Sequence, residues 1–139
     1  MHTIDSHRPL ILVVDDAPDS IEPIVNCLHK ADFRTRIATR GERALQLAAS
    51  TPVPDLILLD VTMPDMDGYE VCSRLMNNPA TASIPVIFLS IRNEELDEQR
   101  GFDAGAVLVV PAGAASTPGA PAYLRRRSSW LAWSSVSIR

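Results

Sequence analysis

Short apolar runs alternate with amphipathic segments along the first hundred residues of the chain. Leu10–Val14 is a continuous apolar run rich in β-branched residues, which is typical of a strand buried on both faces. In the next segment Ile21, Ile24, Val25 and Leu28 recur at i, i+3, i+4 and i+7, so this segment is predicted to be a helix with one buried face. Asp19 or Ser20 is the expected cap of that helix, with Pro23 in its first turn.

The same alternation continues to about residue 110. Further strands are predicted at Arg34–Thr39, Asp55–Asp60, Pro85–Ser90 and Ala106–Val110, and helices at Gly41–Ala49, Gly68–Met76 and Asn93–Ala104. Strands that alternate with helices of this length favour right-handed crossovers and a parallel sheet covered on both faces. The sequence therefore predicts an α/β fold, a doubly wound five-stranded parallel sheet in the order 2-1-3-4-5.

Composition is that of a soluble globular domain. The chain has 139 residues, of which 46% are apolar and 22% charged. No apolar run approaches the roughly 20 residues that cross a bilayer, and the polar start of the chain does not resemble a secretory signal, so a cytoplasmic location is expected. Cys27 and Cys72 are expected to be small buried side chains, and the three histidines are too scattered to predict a metal site.

Charge divides the chain into two unequal parts. All 17 acidic residues lie at or before Asp103, and the 36 residues after it hold four arginines and no acid. We expect residues 1–8 to be an N-terminal tail, 9–110 one domain, and 111–139 an atypical C-terminal segment, compatible with a fifth helix or with disorder. A change of reading frame near Val107, or truncation of a longer protein, would explain the break.

Three acidic side chains follow two of the predicted strands. Asp15 and Asp16 end the first strand and Asp60 ends the third. These strands are neighbours in the common doubly wound order, so the carboxylates should meet at one edge of the sheet, where ligands bind. Their mutual repulsion favours a divalent cation, and Mg²⁺ suits carboxylates, water and a phosphate oxygen. The alternative, that each Asp only caps the following helix, explains one such residue better than three.

Four stretches together resemble the receiver domains of two-component signalling. They are Leu12–Asp16, Leu58–Gly68, Ile84–Ser90 and Gly101–Ala106, and the resemblance spans roughly residues 9–107. It implies the flavodoxin-like receiver topology. It also implies a bacterial phosphoprotein that accepts a phosphoryl group rather than an enzyme with turnover.

The resemblance implies specific roles for five residues. Asp60 corresponds to the phospho-acceptor that forms an aspartyl phosphate. Asp15 and Asp16 correspond to the Mg²⁺-binding acidic pair, with Asp16, Asp60 and the backbone carbonyl of Thr62 as the direct ligands. Ser90 corresponds to the hydroxyl that senses the phosphoryl group. The expected partners are a sensor histidine kinase or phosphotransfer protein and a downstream protein. No direct contact with nucleic acid or membrane is expected, and a homodimer is left open.

One departure from the family bears on function. Receivers carry a lysine after the fifth strand, which would fall near Ala112, whereas the only lysine of this chain is Lys30. The leading hypothesis is Mg²⁺-dependent phosphotransfer to Asp60, and the alternative is a degenerate pseudo-receiver that binds proteins without efficient switching. A phosphohydrolase with an aspartyl nucleophile is disfavoured, because it needs a second Asp where this chain has Thr62.

Overall fold

Five parallel strands form one sheet in the computed structural model of the chain, which describes residues 8–89 and 98–110. The strands are β1 (Leu10–Val14), β2 (Arg34–Ala38), β3 (Leu56–Leu59), β4 (Val86–Leu89) and β5 (Leu108–Val110). They lie in the order β2-β1-β3-β4-β5, with every adjacent pair parallel. The predicted sheet and its strand order are confirmed.

Helices connect successive strands. In the described part of the chain they are α1 (Pro18–Lys30), α2 (Gly41–Ala48), α3 (Gly68–Met76) and α4 (Glu98–Asp103). None of them is long and apolar enough to span a membrane. Where the predicted ends fall in described residues, the helices and strands agree with them to within two residues, except at the start of α1. The predicted start of α4, at residues 93–97, lies outside the described residues, as do residues 1–7 and 111–139.

Alternate residues of the central strands face opposite sides of the sheet. Leu12, Leu59 and Phe88 lie in one buried cluster together with apolar side chains of α2 and α3. Ile11 and Leu58 lie in a second cluster together with side chains of α1. Both faces of the sheet are therefore covered by helices, which explains why these strands are almost continuously apolar in sequence.

The start of α1 differs from its prediction. The helix begins at Pro18 rather than after Asp19 or Ser20, and Ala17 in the capping position makes no side-chain cap. Pro18 suits the first helical position because its fixed φ matches the helix and no N–H is needed there. Pro23 consequently lies in the second turn, and Ser20 is buried on the helix face instead of capping it.

The two cysteines differ in burial. Cys72 is fully buried in α3, and its thiol donates a hydrogen bond to the Ala104 carbonyl at 3.3 Å. Burial raises the pKa of the Cys72 thiol to about 12, so this residue is an inert packing group. Cys27 is only half-buried, so the expectation of a buried side chain holds for Cys72 alone.

Candidate functional site

Two aspartates directly follow the strands between which the strand order reverses. β1 and β3 are adjacent, and their register pairs Val14 with Leu59, the last residue of each. Asp15 and Asp60 come next, and the Asp60 amide donates to the Val14 carbonyl at 2.9 Å. The aspartates therefore stand side by side at the carboxyl edge of the sheet, at the reversal point where open α/β sheets bind ligands.

Asp16 completes a three-carboxylate cluster with Asp15 and Asp60. One carboxylate oxygen from each residue lies within 4.8 Å of the other two. Asp60 is only 3% exposed and Asp15 only 4%, whereas Asp16 is half-buried. Buried negative charges at such separations repel one another strongly, and a divalent cation removes the conflict. Oxygen ligands of this kind suit Mg²⁺, so the residues present fit the ion that the sequence suggested.

Asp15 and Asp60 differ in their relation to the helix that follows each of them. The Ala17 amide donates to Asp15 Oδ1 at 2.9 Å, just before α1, so Asp15 does contribute to the start of that helix. Asp60 has no such role, because α3 begins eight residues later and is capped by Asp67, whose Oδ1 accepts from the Glu70 amide at 2.9 Å. The helix-capping alternative therefore accounts for Asp15 in part, but not for Asp60.

The loop after β3 closes tightly behind Asp60. The Gly68 amide donates to the Val61 carbonyl at 2.6 Å. A Cβ at position 68 would collide with the Asp60 carbonyl oxygen and would lie 2.9 Å from the Phe88 ring. Only glycine fits so close to the Asp60 backbone, and this explains the glycine at the start of α3.

The contact made by Asp65 was not foreseen from the sequence. Asp65 Oδ1 accepts from the Gly41 amide at 2.9 Å, and Asp65 Oδ2 accepts from the Glu42 amide at 3.0 Å. Donation by the Glu42 and then the Gly41 amide lowers the pKa of Asp65 below its ordinary value. The available signal was the start of α2, where Arg40 supplies no side-chain cap, so the first amides must find an acceptor elsewhere.

The remaining residues with expected roles are less completely described. Thr62 is exposed in the loop two residues after Asp60. Ser90 follows the last residue of β4 and lies outside the described residues, as does Ala112. Lys30 is exposed at the last position of α1.

The fold and the cluster together define a class of protein, a doubly wound α/β domain with an acidic site at the reversal of its strand order. The family model described as the response regulator receiver domain matches residues 11–111. The chain belongs to this family.

Two curated relatives illustrate the family. The chain is 46% identical over 103 residues to the "Probable cyclic di-GMP phosphodiesterase" of Vibrio cholerae, covering 74% of this chain and 23% of that protein. It is 38% identical over 98 residues to the "DNA-binding dual master transcriptional regulator RpaA" of Synechocystis, covering 70% of this chain and 40% of that protein. The chain thus spans less than half the length of either relative.

A solved structure gives the same assignment. The signal receiver domain of a signal transduction histidine kinase from Syntrophus aciditrophicus is 35% identical, with a TM-score of 0.65. The match covers 73% of this chain and 76% of that one.

Proposed function

We propose that this chain is a phospho-accepting receiver that takes a phosphoryl group onto Asp60 from a phosphohistidine. The donor would be a sensor histidine kinase or a phosphotransfer protein. The observation that carries the proposal is the three-carboxylate cluster, with Asp60 held beside Asp15 and Asp16 at the edge where β1 and β3 meet. Membership of the receiver family supports it.

The reaction requires little of the protein beyond positioning and charge. A carboxylate oxygen of Asp60 attacks the phosphorus of the donor, an O–P bond forms, and the P–N bond of the phosphohistidine breaks. The imidazole leaves with the bonding electron pair and takes a proton from solvent. The Asp60 backbone is held by the bond from its amide to β1 and by closure of the following loop at Gly68, which supports the proposal that this carboxylate is the attacking group. The product of this reaction is an acyl phosphate on Asp60.

The residues present would hold Mg²⁺ through oxygen atoms. We assign Asp16, Asp60 and the backbone carbonyl of Thr62 as direct ligands, with Asp15 as the fourth member of the site. Asp15 belongs to the same acidic site, and its Oδ1 accepts the Ala17 amide. When bound, the ion neutralises charge that develops on the transferring phosphoryl group.

The output of the domain would pass through Ser90 to a protein partner. Ser90 directly follows β4, and β4 is adjacent in the sheet to β3, the strand that Asp60 follows. Its hydroxyl would hydrogen-bond to the phosphoryl group and report its presence. The surface formed by α4 and β5 is the proposed partner face, and Phe102 on α4 is 45% exposed there. A homodimer through the same face is one form that this output could take.

The name of the Vibrio cholerae relative is not carried over as an activity. The chain covers only 23% of that protein. A receiver is modified on Asp60 and regenerated by loss of phosphate, so it is not an enzyme with turnover on an external substrate. We propose a cytoplasmic location for the protein.

Intact-mass spectrometry tests the proposal directly. The purified chain is incubated with Mg²⁺ and acetyl phosphate, and we expect a gain of one phosphoryl group. Asp60→Asn should show no gain. Asp32→Asn is a matched control, since Asp32 is exposed and has a φ of 75° that asparagine also adopts readily.

The same experiment distinguishes the phospho-accepting receiver from the second candidate function, a degenerate pseudo-receiver. A folded wild-type chain that gains no mass with acetyl phosphate or with a phosphohistidine donor would favour the pseudo-receiver alternative. The sequence feature behind that alternative is the lack of a lysine near Ala112. Phosphorylation that persists in Asp60→Asn would contradict the assignment of Asp60.

A further inference from the structure

The loop between β3 and α3 is closed at its base. The Gly68 amide and the Val61 carbonyl are joined at 2.6 Å, and the close approach of Gly68 to the Asp60 carbonyl fixes the base against the end of β3. Residues 62–67 form the rest of the loop. The bond at the base alone does not fix the position of these residues.

The tip of the loop is tied to a different element. Asp65 accepts the first two amides of α2 with its two carboxylate oxygens, at 2.9 Å from Gly41 and 3.0 Å from Glu42. The Met66 side chain packs directly against Gly41, so that a Cβ at position 41 would collide with it. These contacts join the loop to a helix that lies more than 20 residues earlier in the chain.

The start of α2 is well suited to hold such a carboxylate. Its capping position is Arg40, which makes no side-chain cap, so the first-turn amides, which have no partner within the helix, are available to Asp65. A carboxylate at a helix N-terminus is also favoured by the helix dipole. The contact between the Asp65 carboxylate and the first amides of α2 is therefore a directed polar interaction rather than loose packing.

We propose that Asp65 is a positioning residue that sets the place of the Thr62 carbonyl in the Mg²⁺ site. The inference rests on the proposed function, since it takes Thr62 as a ligand. Asp60 and Asp16 are positioned by the strands, whereas the Thr62 carbonyl belongs to the loop that Asp65 anchors three residues further on. Loss of Asp65 should let this ligand move while leaving the carboxylates in place.

The test compares three variants of the full chain. Asp65→Ala removes both hydrogen bonds to the start of α2, and Asp65→Asn keeps one acceptor oxygen for them. Asp67→Ala is the matched control, because Asp67 is also a loop aspartate that caps a helix, but its bond to the Glu70 amide lies within α3's own first turn. Mg²⁺ affinity is measured by calorimetry without a phosphodonor, and the Mg²⁺ dependence of phosphorylation by acetyl phosphate is measured separately.

We expect Asp65→Ala to weaken Mg²⁺ binding about fivefold, less than loss of a group that contacts a ligand directly, since only a neutral carbonyl is displaced. The Mg²⁺ concentration for half-maximal phosphorylation should rise by the same factor, whereas the rate at saturating Mg²⁺ should change by less than about twofold. Asp65→Asn should restore part of the affinity, and Asp67→Ala should bind Mg²⁺ as the wild type does.

Amide chemical shifts separate failure of this inference from failure of the proposed function. If the wild type binds Mg²⁺ but is not phosphorylated, the calorimetric comparison of Mg²⁺ affinity between wild type and Asp65→Ala still tests the inference. If the wild type binds no Mg²⁺, the shifts of Val61 and Thr62 should still change in Asp65→Ala and stay unchanged in Asp67→Ala. A folded Asp65→Ala variant with wild-type Mg²⁺ affinity, or with unchanged Val61 and Thr62 shifts, would overturn the inference.

Discussion

Gly68→Ala is the substitution for which the structure gives the clearest magnitude. The new Cβ would collide with the Asp60 carbonyl oxygen, and it would lie 2.9 Å from Phe88 Cε1 and 3.0 Å from Val61 Cα. Two of these three atoms belong to the backbone and cannot move without shifting the end of β3. Overpacking of this kind costs about 1–3 kcal/mol, and the rigid surroundings favour the upper end.

The gain in helix propensity only partly offsets this cost. Alanine is better than glycine by about 1 kcal/mol within a helix, and by less at the first position, which Gly68 occupies. We therefore expect a net loss of about 2 kcal/mol in the free energy of unfolding. With a urea m-value of about 2 kcal/mol/M, the unfolding midpoint should fall by about 1 M. The measurement is urea unfolding followed by circular dichroism.

Gly41→Ala provides the matched control. Gly41 also begins a helix, but the three atoms nearest to a Cβ there all belong to side chains, those of Met66 and Val71. These side chains can shift without moving the end of β3, so we expect Gly41→Ala to cost less than Gly68→Ala, about 1 kcal/mol in unfolding free energy. Equal midpoints for Gly68→Ala and Gly41→Ala would refute the reasoning, because they would show that the Asp60 backbone yields as easily as a methionine.

Three further predictions follow from the site and its surroundings. First, Mg²⁺ at about 100 times its dissociation constant should stabilise the wild type by about 2.7 kcal/mol, and Asp16→Ala should abolish most of this gain, as measured by thermal unfolding with and without a chelator. Second, the lowered pKa of Asp65 means that its contact stabilises the fold above the unfolded-state pKa, near 3.8, and loses this effect as the pH falls through the lower folded-state value. The difference in urea midpoint between wild type and Asp65→Ala should therefore be constant near neutral pH and shrink in acid; a difference that grows in acid would contradict the assignment. Third, the Arg100 guanidinium lies 4.1 Å from the centroid of the Tyr69 ring, so Arg100→Ala should cost about 0.5–1 kcal/mol in unfolding free energy, while Arg43→Ala, at an exposed position in α2, should cost less.

The sheet and its acidic cluster could be predicted from the sequence because both depend on regular geometry. Buried parallel strands are continuous apolar runs, so Leu10–Val14 and Leu56–Leu59 stand out in the chain. Once they are neighbours in register, the residues that follow them must meet at one edge. Asp15 and Asp60 therefore converge through backbone geometry alone.

Contacts made by loops and helix ends were harder to predict. The start of α1 was misplaced because Asp19 and Ser20 are good capping residues, yet Pro18 is a still better first residue. The tie between Asp65 and α2 links residues 24 apart, and no periodicity in the sequence relates them. Such contacts depend on the path of a loop, which becomes apparent only when the sheet has brought its ends together.

The charge balance of the site follows from the same topology. α1 starts at the carboxyl edge of β1 and runs back along the sheet, and its 13 residues extend about 20 Å. Lys30, the only lysine of the chain, therefore lies at the far end from the carboxylate cluster, well beyond the roughly 8 Å over which an exposed charge acts at physiological salt. This lysine therefore does not offset the charge of the three carboxylates, and we expect a bound divalent cation to do so. Phosphorylation of Asp60, followed by intact mass, should consequently be lost when Mg²⁺ is chelated, and a mass gain that persists with the chelator would contradict this reasoning.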